Sequence, residues 1–189
     1  MSITISMLEI GGDDVLAGGI EGKTVLGKLI TSVVATGVPS PIFLDFRGVA
    51  VATGSWLREA VIAFRNYCLT SQLNLYPVVA NPSPKVVEEM EGLLKLLNDA
   101  MVTCDFDEEG RVTSARVLGP LEGKQQVTLE AVLALREADA VTLAEKYRDE
   151  EKVGATGWNN RLAALVAKSI LMEIKRGRVK FYVPVVEAL

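Results

Sequence analysis

Apolar positions recur along this chain with two periods, and the switches between them mark out its elements. Ser2 to Ile10 (SITISMLEI) alternates, with Ile3, Ile5 and Met7 on one side, which predicts a strand. Gly11-Gly12-Asp13-Asp14 breaks it into a turn. From about Glu21 to Ala35, Val25, Leu26, Leu29, Ile30 and Val33 fall at helical spacing, and Gly37 and Pro39 close that helix. Ile42, Phe43, Leu44 and Phe46 form a continuous apolar run suited to a strand buried on both faces, with Arg47-Gly48 turning the chain at its end. Ser55 is placed to cap the next helix, whose inner face is Leu57, Ala60, Val61 and Phe64.

Leu73 to Ala80 supplies another strand, and Ser83-Pro84 an N-cap and first-turn pair. The helix they open sets Val86, Val87, Met90, Leu93, Leu94 and Leu97 against Glu88, Glu89, Glu91 and Lys95 on its other side. Met101 to Phe106 and Arg111 to Leu118 read as a hairpin across an acidic turn. Gly119 to Lys124 (GPLEGK) is the best domain boundary and divides 1–120 from 121–189. Beyond it helices follow one another. Thr128 begins the first, with Leu129, Val132, Leu133 and Leu135; Asp139-Ala140-Val141 connects; Thr142 caps a short second one. Gly154 lies in a turn, and Thr156 caps a third helix with Trp158, Leu162, Leu165 and Val166 on one face and Asn159, Asn160, Arg161 and Lys168 turned away. Two short runs, Ser169 to Glu173 and Val179 to Val183, then flank the basic turn Lys175-Arg176-Gly177-Arg178, the pattern of a hairpin with glycine at its tip.

Composition narrows the function more than the fold. With no histidine in the chain, Ser-His-Asp and Cys-His nucleophilic machinery and imidazole metal sites are excluded. Cys68 and Cys104 lack a CxxC spacing and are expected as buried free thiols. No cofactor and no metal is expected, and the remaining enzymatic candidates are carboxylates such as Asp45 at a strand end, so the expectation is a protein that is not an enzyme. No apolar run approaches the roughly 20 residues of a membrane span, and Met1-Ser2-Ile3-Thr4 lacks a leader pattern, so the cytoplasm is the expected location.

Charge is distributed unevenly. The chain carries −4 overall, yet Thr156 to Pro184 holds Arg161, Lys168, Lys175, Arg176, Arg178 and Lys180 against Glu173 alone, a balance of +5. A basic island on an acidic protein is the footprint of a polyanion-binding face. Lys and Arg also suit helix C-terminal halves and hairpin turns for reasons of dipole and solubility, so the island has two readings.

Two resemblances give these elements names. The stretch NNRLAALVAKSIL followed by GRVKFYVP resembles the recognition helix and wing of winged helix-turn-helix domains of bacterial transcription regulators. That resemblance implies double-stranded DNA as partner, with Thr156, Asn159, Asn160 and Arg161 on the groove-facing helix and Lys168, Lys175, Arg176, Arg178 and Lys180 against the backbone. In the first 120 residues, Asp45, Gly48 and Val49 fall on the Asp-x-x-Gly-Val signature of the STAS domain of anti-sigma-factor antagonists. Ser55 falls where that family carries a serine phosphorylated by a partner kinase, which makes it a candidate phosphosite as well as a helix cap. The match is closer to a looser group of prokaryotic STAS-like domains of unknown function. The expected architecture is an α/β STAS-like domain (1–120) plus a C-terminal α+β winged helix (121–189). The expected function is a DNA-binding transcription regulator or adaptor whose first half binds a protein partner or a second copy of the chain. The alternative is a protein-interaction module in a signalling switch, with the winged helix as a docking surface.

Overall fold

The computed structural model describes residues 3–189; Ser2, the first residue of the first expected strand, lies outside the described residues. β1 (Ile3–Ser6) ends earlier than the alternation suggests. The Ser6 hydroxyl accepts a hydrogen bond from the Glu9 amide at 3.2 Å and caps a short helix, α1 (Met7–Gly11), which turns Met7 fully into the core. β2 (Val15–Leu16), α2 (Gly19–Ser32) and β3 (Ser40–Asp45) follow, then β4 (Val51–Ala52), which pairs with β2. The next helical run has three parts, α3 (Gly54–Leu57), a π-helical stretch (Arg58–Ile62) and α4 (Ala63–Thr70), and it buries Leu57, Ala60, Val61 and Phe64 as expected. β5 (Leu75–Ala80), α5 (Pro84–Leu97), β6 (Met101–Phe106) and β7 (Val112–Leu118) complete the first part of the chain.

These strands form one five-stranded sheet in the order β1-β3-β5-β6-β7, parallel except for the antiparallel β6–β7 hairpin. Each parallel crossover steps the sheet in the same direction, and crossovers of one hand then put α2, α3–α4 and α5 on a single face. The apolar cluster on that face joins Val25 and Leu29, Trp56 to Phe64, and Met90 and Leu94 to Ile42, Leu44, Val79 and Met101 of the sheet. Phe43, Tyr76, Val78, Val102 and Cys104 point the other way, because successive strand residues alternate sides. Such a topology leaves the second face needing cover.

Residues after Gly119 provide it. Gly119 itself has φ +83, and a side chain there would collide with the Asp99 carbonyl oxygen, so only glycine lets the chain leave β7 at this point. α6 (Gly123–Leu135), α7 (Ala140–Lys146), α8 (Arg148–Glu151) and α9 (Ala155–Ala167) precede the hairpin of β8 (Leu171–Arg176) and β9 (Val179–Pro184). Their inward residues, including Leu129, Val132, Leu143, Trp158, Leu162, Leu165, Leu171 and Tyr182, belong to one apolar cluster with the second face of the sheet. Burying a leucine such as Leu162 fully is worth about 1.5–3 kcal/mol.

Helix starts are where the structure corrects the sequence reading. Ser55 is not a cap: Thr53 holds the N-cap position of α3, and the first amide, Gly54 N–H, donates to Oε2 of Glu89 at 2.8 Å. Thr128 is fully buried inside α6, its hydroxyl donating to the Lys124 carbonyl, while Glu122, six residues earlier, and Gln125 form a capping box. Asp139 caps α7 by accepting from the amides of Val141 and Thr142. Gly154 is the N-cap of α9, which places Thr156 in the first turn. Ser83 caps α5 as expected, with the Val86 amide 3.3 Å from its hydroxyl.

Candidate nucleic-acid interface

α9 packs against α7 and α6 through Trp158, Leu162 and Leu165, none of them more than 1 % exposed. The opposite stripe carries Thr156, Asn159, Asn160, Ala163 and Ala167, all exposed. They are spaced so that they share one side of a 3.6-residue helix. This face is polar at its N-terminal end, small throughout and without charge.

The hairpin lies directly after it. Strands β8 and β9 pair from Leu171↔Pro184 to Arg176↔Val179, leaving Gly177 and Arg178 as a two-residue turn. Only Gly177 of the two has positive φ, at 63°, the signature of a type II′ turn with glycine first. Ala138, just before α7, joins the ribbon from the far side: its amide donates to the Tyr182 carbonyl at 3.1 Å, and the Tyr182 amide donates back at 2.8 Å. The base of the ribbon is thereby fixed to the start of α7.

The cations of the basic island are mostly occupied. Arg161 turns off the exposed face; its side chain is 11 % exposed, lies over the Trp158 ring at 5.1 Å and donates to Glu151 at 2.6 Å. Lys168, 14 % exposed, pairs with Asp99 at 3.0 Å and donates to the Asn98 carbonyl at 3.3 Å. These two residues, expected to face nucleic acid, instead hold α9 to α8 and to the end of α5, because both sit on the flank of the helix where carboxylates await them. Arg176 donates twice to Glu137, at 2.7 Å each, and covers the Phe181 ring at 4.8 Å. Lys180 and Lys175 approach Glu173 at 3.0 and 3.9 Å. Arg178, exposed at the turn, makes no ion pair among the described residues. Three of the four carboxylates involved, Asp99, Glu137 and Glu151, lie outside the Thr156–Pro184 window, so a count along the sequence overstates the local charge.

Asp99 anchors the deepest of these pairs. Arg65, 3 % exposed, donates to the Asp99 carboxylate and to the Ala100 carbonyl at 3.0 Å. Burial alone raises the Asp99 pKa, but the bonds and charge of Arg65 and the bond from Lys168 outweigh it and hold the carboxyl below its ordinary value. Tyr76 and Tyr182 flank Glu173, and burial, then that carboxylate, pushes the Tyr182 hydroxyl up to about 12. Cys68 and Cys104 are buried free thiols, each raised to about 12 first by desolvation.

Ser55 stands elsewhere. It is exposed near the start of α3, 3.3 Å from the Thr53 hydroxyl, among the helices of the first face and away from the ribbon. Among the described residues no group of three or more His, Cys, Asp or Glu is arranged to hold a metal ion, and no helix is long and apolar enough to cross a membrane.

Fold and surface together define a mixed α/β protein with a five-stranded, mostly parallel sheet and a helical, ribbon-bearing C-terminal half. Compared with protein-family models and with curated proteins, the chain matches none.

Proposed function

We propose that the protein is a non-enzymatic, double-stranded-DNA-binding regulator in which 121–189 forms a winged helix-turn-helix and 1–120 a STAS-like domain that engages a protein partner or a second copy. The observation that carries this reading is the Ala138–Tyr182 backbone pair. It ties the strand-like residue before α7 to the β8–β9 ribbon; with the one-turn α8 counted as a continuation of α7 across Tyr147, helix, short strand, helix, helix and ribbon follow one another in the winged-helix order. In that arrangement the third helix enters the major groove and the ribbon follows the phosphates and the minor groove they border. α9 presents Thr156, Asn159 and Asn160 for the first role, and Arg178, with Lys175, Arg176 and Lys180 beside it, serves the second. The STAS-like assignment rests on the β3-turn-α3 unit, where Asp45 ends the strand, Gly48 and Val49 form the turn and Ser55 remains a candidate phosphosite.

Fluorescence anisotropy of the full chain with labelled duplex at several salt concentrations tests the reading. Binding should weaken steeply with salt as phosphate contacts release counterions. Arg178→Ala should weaken binding and reduce the logarithmic salt slope by about one. A folded chain that shows no salt-sensitive binding sinks the proposal.

The occupied cations favour a second reading, a protein-docking module. Five of the six are already held by carboxylates, which makes the ribbon face far less cationic than its sequence. An Arg178→Ala protein that binds DNA as tightly as the parent at every salt concentration moves the weight to that reading.

A further inference from the structure

The orientation of side chains on α9 bears on which bases such a protein would read. Resting on the DNA-binding reading above, we infer that α9 recognises adenine and thymine, through the amides of Asn159 and Asn160 and the methyl groups of Thr156 and Ala163, and makes no guanine contact.

Each base pair shows the major groove a different edge. Guanine offers two acceptors that Arg or Lys fills, cytosine an amino donor that Asp or Glu accepts, adenine an acceptor beside a donor that Asn or Gln matches, and thymine a methyl that small apolar groups touch. The sequence places one arginine and one lysine at α9, enough to suggest guanine. Both are withdrawn: Arg161 is clamped between the Trp158 ring and Glu151, and Lys168 between Asp99 and the Asn98 carbonyl. Taking Arg161 to a base would expose the indole face it covers and leave the Glu151 carboxylate, 23 % exposed, without its partner. No acidic side chain lies on the exposed stripe either, so a cytosine reader is missing as well. What remains is two carboxamides one residue apart, with Thr156 a turn before them and Ala163 a turn beyond.

The ribbon points the same way. Arg178, which makes no ion pair among the described residues, is exposed on a narrow two-residue turn, a shape that fits a minor groove. Minor grooves of A·T tracts are narrow and strongly negative, and they attract inserted arginine. Helix and turn therefore favour the same base composition by separate mechanisms.

The test is selection of bound duplexes from a random-sequence pool by the full chain, followed by atom-level substitution in the selected site. The selected core should be A·T. Replacing adenine with 7-deazaadenine at the contacted positions should weaken the parent about tenfold, the factor corresponding to 1.4 kcal/mol, and should leave Asn159→Ala or Asn160→Ala unaffected at the position that residue reads. Uracil in place of thymine should weaken binding severalfold, since it removes only the methyl. Arg161→Ala should keep the parent's base preference while melting earlier. A guanine-containing core lost in Arg161→Ala overturns the inference and leaves DNA binding intact. An A·T preference indifferent to 7-deazaadenine assigns the readout to groove shape and also overturns it. Failure of every duplex to bind removes the DNA reading itself, and this inference with it. Thermal midpoints of the two asparagine variants, both altered at exposed positions, should match the parent's and show that lost readout is not lost folding.

Discussion

Asp99 shows how much one carboxylate can decide. It receives Arg65 from α4 and Lys168 from the end of α9, and so joins the sheet's first face to the C-terminal half. Its pKa is lowered in the fold, so the stability it contributes is fully present above the ordinary aspartate value of about 3.9 and is lost as pH falls through the depressed value. Asp99→Asn should therefore cost about 3 kcal/mol at neutral pH, since it leaves the guanidinium of Arg65 buried without a counter-charge. The gap between parent and variant should close as acid protonates the parent. Urea denaturation from neutral pH down to about pH 3 measures this, and a gap that stays constant through the acid range would show that the charge is not what stabilises the site. None of this was legible along the chain. Arg65 lies in an amphipathic helix, Asp99 in a helix-ending turn and Lys168 in a basic run, and only the fold places the three together.

At the scale of elements, periodicity located most strands and helices because it reports burial, which is what the sheet and its helices share. β3, β5, the β6–β7 hairpin and α5 with its Ser83-Pro84 start lie where the apolar pattern puts them, and the β8–β9 ribbon is present with its first arm displaced to Leu171–Arg176, so that Lys175 and Arg176 belong to the strand and not to the turn. Helix starts were read less well for a physical reason: a hydroxyl beside a helix is a local signal, whereas the amide it would satisfy is free to find an acceptor from anywhere. α3 finds Glu89, thirty-five residues away, and α7 finds Asp139, three residues before the threonine expected to cap it. The consequence is measurable. Ser55→Ala should change stability by less than about 0.5 kcal/mol, as at an ordinary surface position. Glu89→Ala should cost about 1 kcal/mol by removing the acceptor at the helix start. The reverse order in thermal or urea denaturation would restore Ser55 as the cap. The same geometry bears on the candidate phosphosite, because a phosphate on Ser55 would sit beside the Glu89 carboxylate and compete with it for the positive end of the helix.

For the whole molecule, the question is whether 121–189 and 1–120 behave as two bodies or one. The glycine-rich boundary suggests two, and the change from strand–helix alternation to helices at Gly119 remains the clearest break in the sequence. Sheet topology adds a constraint that composition does not carry. With its crossover helices on one face, the sheet turns Phe43, Tyr76, Val78 and Val102 toward the C-terminal helices, and one apolar cluster runs from those residues to Trp158 and Tyr182. Polar ties reinforce it: the Glu173 amide donates to the Tyr76 hydroxyl at 3.3 Å, and Lys168 reaches Asp99. Separating the halves would expose apolar surface on both, at about 25 cal/mol for each Å2 uncovered, so the unfolding of one should be felt by the other. The chain carries its own reporters, since its two tryptophans are divided between the clusters, Trp56 on the first face and Trp158 on the second. In Trp56→Phe the fluorescence follows the second cluster, and in Trp158→Phe the first. Each substitution destabilises its own cluster, so each variant should also be followed by far-ultraviolet circular dichroism as an internal reference. If the sheet couples its two faces, fluorescence and dichroism will give the same midpoint within each variant. Two separated transitions, with Trp158 melting at its own denaturant concentration, would mark the C-terminal half as an independent body that moves relative to the sheet.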